Sequence, residues 1–121
     1  MKPYLLILII TGLWGCSSPV SPKIVVKQTL PGLTIDSATD SFDALKGQYF
    51  IHAYIRNTGK HTFRYLNINA VYKDDKGKEI ADALGGPGRY FKPGDSETVD
   101  IMWVFPDQSK LPPLVEVSAS N

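Results

Sequence analysis

The chain has 121 residues with 13 Lys and Arg against 12 Asp and Glu, a formal net charge of +1, and so lacks the basic footprint of a nucleic-acid binder. A hydrophobic content of 43% supports a packed core rather than a disordered chain. The single cysteine excludes an internal disulfide, and the length suits one domain.

Met1-Lys2 gives a short positive start, Tyr4 to Ile10 is an unbroken apolar run, and Thr11-Gly12 breaks it. A charged start, a short apolar stretch and a small residue before a cut describe a secretory signal. The run is far shorter than the ~20 apolar residues that cross a bilayer as a helix, so no lasting transmembrane helix is expected. The next four residues, Leu13-Trp14-Gly15-Cys16, resemble the lipobox of bacterial lipoproteins. Leu13, Gly15 and Cys16 match that pattern, and Trp14 stands where it prefers Ser, Ala, Thr or Val.

The resemblance implies removal of residues 1–15, a diacylglycerol on the Cys16 sulfur and acylation of the new amino terminus. Two or more acyl chains hold a protein stably on a membrane. The alternative is an ordinary signal peptide followed by a free, reactive thiol. Ser17 rather than Asp follows the cysteine, which in enterobacteria-like hosts directs a lipoprotein to the periplasmic side of the outer membrane rather than keeping it in the inner membrane. Without Lys2 the mature chain has 12 basic and 12 acidic residues. Residues 16–23, rich in Ser and Pro, read as the lipidated cysteine and an extended tether. The domain proper is expected over residues 24–121.

Ile24 to Leu30 is short and β-branched, as a first strand would be. Pro31-Gly32 reads as a turn, and Leu33-Thr34-Ile35 as a second short strand. Ser37 to Gly47 fits either one helical turn, capped by Asp40 or Ser41, or a plain loop. From Gln48 the alternation is clear, with Ile51, Ala53 and Ile55 assigned inward and Phe50, His52, Tyr54 and Arg56 outward. Asn57 to Lys60 is a turn in which Gly59 is expected to supply a positive φ.

A long strand is expected from about Phe63 to Asp74, with Leu66, Ile68, Ala70 and Tyr72 on one face. Asp75-Lys76-Gly77 turns the chain into a shorter strand from Lys78 to Leu84. Gly85 to Gly88 is a loop, and Pro93-Gly94 a turn. Thr98 to Val104 alternates again, with Val99, Ile101 and Trp103 as the buried row, and Pro106 ends it. Leu114 to Ala119 forms a last strand with Val115 and Val117 on one side. About seven short strands separated by frequent turns predict an all-β, two-sheet antiparallel sandwich.

Three segments in this order are Ile55-Arg56-Asn57-Thr58-Gly59, Val71-Tyr72-Lys73-Asp74-Asp75-Lys76-Gly77-Lys78, and Phe91-Lys92-Pro93-Gly94-Asp95-Ser96. Together they resemble the FxLYD domains and related immunoglobulin-like domains of bacterial envelope lipoproteins. The resemblance covers roughly Gln48 to Phe105. Asn69 stands where the name-giving motif has Phe, and Lys73 separates Tyr72 from the acidic residue. The resemblance implies an extracytoplasmic, immunoglobulin-like sandwich without known catalytic residues; it does not imply a ligand, so no site residue is carried over from it.

His52 and His61 are the only imidazoles. A zinc site needs three or four converging ligands, so these read as surface residues and no metal is expected. No G-x-S-x-G pattern occurs, which leaves no basis for a catalytic serine. Asp74, Asp75 and Glu79 lack the spacing of a calcium loop. Gly85 to Gly88 lacks the helix and the Lys-Ser/Thr tail of a phosphate loop, so no cofactor is expected. Phe50 and Tyr54 on the outward row, and Tyr90-Phe91 beside a loop, are the candidate partner contacts. The alternatives are that both strand faces are covered or that the inward and outward rows are exchanged. These readings predict a lipid-anchored, non-catalytic envelope protein that meets a protein partner or acts as an accessory module. A small envelope enzyme, a metal-binding protein and a purely structural lipoprotein are the rivals.

Overall fold

A computed structural model describes residues 22–104 and 111–121. The expected signal peptide, Cys16, most of the tether and Pro106 lie outside the described residues. Seven strands form, namely β1 (Lys23–Val26), β2 (Leu33–Asp43), β3 (Gln48–Asn57), β4 (Asn67–Lys73), β5 (Glu79–Gly85), β6 (Ser96–Val104) and β7 (Leu114–Ser120). They make two sheets, in the orders β1-β7-β4-β5 and β2-β3-β6, with no helix among the described residues. All pairings are antiparallel except that β1 runs parallel to β7.

The core lies between the sheets because each central strand carries one apolar row. On β3, Tyr49, Ile51, Ala53 and Ile55 are buried, as expected from the period of two. Ile68, Ala70 and Tyr72 of β4, Val99 and Ile101 of β6, and Val115 and Val117 of β7 complete the row-on-row packing. Each fully buried Ile contributes about 1.5–3 kcal/mol of transfer free energy. Trp103, expected in the buried row, is only partly buried. Its indole stacks on Tyr72 with centroids 4.3 Å apart and planes at 23°.

Three expectations are corrected. Ser37 to Asp43 is neither helix nor loop but the larger part of an 11-residue strand. A bulge at Asp36 shifts the register between Ile35 and Ser37, so the inward row passes from Leu33 and Ile35 to Ala38, Asp40 and Phe42. The Gln28 side chain closes the edge there, donating to the Ile35 carbonyl at 2.8 Å and accepting from the Ile35 N–H at 3.0 Å.

The strand expected from Phe63 begins only at Asn67. Phe63 instead makes an isolated bridge with Phe91, through N–H···O bonds of 3.0 and 2.9 Å. Gly59 does not have a positive φ. It is glycine because a Cβ there would stand 2.9 Å from the Cα of Gly32, closer than real side chains come. The positive φ, 85°, belongs to Gly32, whose carbonyl accepts from the N–H groups of Thr58 and Gly59.

Candidate functional site

The outward row of β3 places Phe50, His52, Tyr54 and Arg56 on the open face of the β2-β3-β6 sheet. With Ile51, Ala53 and Ile55 fully buried, the inward and outward rows are not exchanged. Phe50 is half-buried, and its ring lies nearly parallel to the His52 imidazole, at 5.9 Å and 13°. It faces Met102 across the β3–β6 ladder, while Val104 faces Gln48. Met102 and Val104 are exposed and Tyr54 is 37% exposed, so the face carries an apolar strip. Sequence reasoning missed Met102 and Val104; their alternation with Ile101 and Trp103 was the available signal.

His52 sits in the middle of this face with both nitrogens engaged. Its Nδ1 is 2.7 Å from an Asp100 carboxylate oxygen and its Nε2 is 2.8 Å from the Ser41 hydroxyl. With Asp100 ionised, Nδ1 donates to the carboxylate and Nε2 accepts from the serine, a tautomer assigned from the partners. The order serine, imidazole, carboxylate is that of a nucleophilic hydrolase. Three strands deliver it, Ser41 from β2, His52 from β3 and Asp100 from β6, so no local motif in the sequence could have announced it.

Such a group also needs donors aimed at a developing oxyanion. Ladder N–H groups lie in the plane of a sheet, not above its face, so the sheet backbone aims none at the space over Ser41. Asp100 is mostly solvated, which weakens its hold on the ring. At the far end of the face Arg56 pairs with Asp36 on the bulge. The Arg56 guanidinium, through its hydrogen bond first, holds the Asp36 carboxyl below the usual carboxylate range.

The other expected contacts separate. Tyr90 is 56% exposed, with the Arg64 guanidinium 5.7 Å from its ring centroid. Phe91, beside it, is fully buried and bridged to Phe63, so its ring belongs to the core and not to a contact surface. Tyr65, exposed near Tyr90 and not singled out from the sequence, takes its place at that end of the fold.

His61 is exposed, and its backbone carbonyl accepts from the Asn57 side chain. Asp74 turns its carboxylate onto the N–H groups of Lys76 and Lys78 in its own hairpin. Among the described residues no three His, Cys, Asp or Glu side chains converge as a metal site would require. No described helix is long and apolar enough to cross a membrane. No protein-family model, no curated protein and no solved structure matches this chain.

Proposed function

We propose that this chain is a lipid-anchored, non-catalytic envelope protein whose body serves as a protein-binding or accessory module. The body is read as an immunoglobulin-like sandwich similar to FxLYD domains, a reading supported by two mostly antiparallel sheets and seven strands. The observation that carries the proposal is Leu13-Trp14-Gly15-Cys16 directly after an apolar run, with Cys16 the sole cysteine. Thioether and amide lipids on Cys16 hold the domain at the outer membrane, on its periplasmic side, with Ser17 as the sorting residue. The partner is an envelope protein that meets the open sheet face at Phe50, Tyr54 and Met102, with Tyr90 as a separate contact at the loop end. Apolar side chains gathered on an otherwise polar sheet face support this assignment.

The test is metabolic labelling. The wild type should incorporate labelled fatty acid and partition into detergent, and Cys16→Ala should do neither. A variant that did both would overturn the anchor. A second reading, a small envelope hydrolase, is favoured by the Ser41–His52–Asp100 chain alone. Against it stands a sheet whose ladder N–H groups lie in its plane and aim no oxyanion donor over Ser41. A fluorophosphonate probe should therefore leave Ser41 unlabelled, read by the mass of the intact protein, and stoichiometric labelling lost in Ser41→Ala would establish the hydrolase instead.

A further inference from the structure

The loop end of the two-sheet body holds a groove, apart from the anchor and the sheet face, whose lining includes the Tyr90 contact. Arg64 to Asn67, leading into β4, form one wall and Gly86 with Gly88 to Tyr90, after β5, the other. They border an open groove of about 440 Å³, within the size range of small-ligand sites. Glycine makes this space: a Cβ on Gly86 would stand 2.5 Å from the Leu66 carbonyl oxygen, so no other residue lets the loop close on the start of β4.

Tyr65 and Tyr90 are 75% and 56% exposed at the mouth. The two arginines differ in what they have left to offer. Arg89 is already matched, 2.8 Å from Asp95 and 2.9 Å from Glu97. Arg64 rests over the Tyr90 ring and makes no ion pair among the described residues. The groove thus presents the Arg64 guanidinium, held over the Tyr90 ring and without an ion pair among the described residues, together with Tyr65 and the Asn67 amide in the same lining.

We propose that this groove binds an acidic saccharide, a sugar ring bearing a carboxylate. A guanidinium takes a carboxylate through paired N–H···O bonds, and one such group matches Arg64, the lining cation without an ion pair among the described residues. Tyrosine rings have apolar faces to cover the C–H faces of a sugar and hydroxyls to meet its own, as does the Asn67 amide. A peptide is served less well. The groove lies across connecting loops rather than along a free strand edge, and Leu66, its aliphatic residue, is buried in the core. It therefore offers neither backbone pairing nor an apolar socket, the usual means of holding a peptide. The inference is independent of the lipid on Cys16.

Titration of the full chain in detergent with a galacturonic acid trimer, followed by amide chemical shifts, tests it. Saturable shifts are expected at Arg64, Tyr65, Gly88 and Tyr90, with a neutral galactose trimer binding at least about tenfold more weakly. Arg64→Gln should lower affinity for the acidic trimer by about tenfold or more with an unchanged melting temperature, and Tyr65→Ala should also weaken binding. Equal affinity for the neutral sugar, wild-type binding by Arg64→Gln, tighter binding of a glutamate-rich peptide, or no saturable shift at millimolar trimer would each overturn it.

Discussion

Asn57, at the end of β3, is 3% exposed. Its amide donates to the carbonyls of His61 and Phe91 at 2.8 and 2.9 Å, and its oxygen accepts from the Gly59 N–H at 3.0 Å. Its backbone bonds Gly94 and Asp95 as well. In the sequence Asn57 reads only as a turn former, because nothing local shows that its side chain is buried against the Phe91 carbonyl while Thr58 and Lys60 stay exposed. Asn57→Asp keeps the shape but sets a buried, charged acceptor against two carbonyls. The expected cost is about 2–4 kcal/mol, read as a lower urea midpoint with little change in slope.

The strands separate into those whose partners were legible and those whose partners were not. β3, β4 and β6 alternate apolar and polar residues, so their inward rows follow from the pleat. β2 does not. Ser37 to Asp43 carries Asp40, Asp43 and Ala38, of types depleted in strands, and its only residues of strand-enriched type are Thr39 and Phe42. It is a strand because the β3 edge pairs with it residue by residue from Ser37 to Asp43. The two faces of β3 give the test at this scale. Ile51→Asp leaves a buried charge without a partner and should cost several kcal/mol by thermal or urea unfolding. Tyr54→Asp, on the open face, should change stability by under about 1 kcal/mol.

Across the whole molecule, carboxylates held by cations set the acid limit. Lys73 first, then Lys27, lowers the Glu116 pKa, with ion pairs of 3.0 and 3.2 Å. The Lys92 N–H first, then Arg89, lowers that of Asp95, as Arg56 does for Asp36. A carboxyl whose pKa is lower folded than unfolded stabilises the fold above its unfolded pKa and loses that contribution as pH falls through the folded value. The melting temperature should therefore fall below about pH 4, less steeply in Glu116→Gln. All three carboxylates keep part of their surface in water, so each effect is small.

The alkaline limit belongs to the core. Burial pushes the Tyr72 hydroxyl up to about 12 and, with the Asp40 hydrogen bond, raises Tyr49 as well. A raised phenol pKa stabilises the fold below the unfolded value near 10, and that contribution is lost as pH rises through about 12. The Tyr72 hydroxyl has no hydrogen-bond partner among the described residues, so Tyr72→Phe should flatten this alkaline loss at little cost near neutrality. Melting curves across pH check both limits.

By itself the sequence determined the all-β class, the inward rows of the central strands and most turns, because strand periodicity and turn stereochemistry are local properties. Tertiary structure decided that β1 lies parallel to β7, that β2 continues through a bulge, and that Gly59 is glycine for the sake of Gly32. It also brought Ser41 to His52 and Asp100, and Arg64 to Tyr90. Each of these depends on residues far apart in the chain, and no local pattern encodes the distance between them.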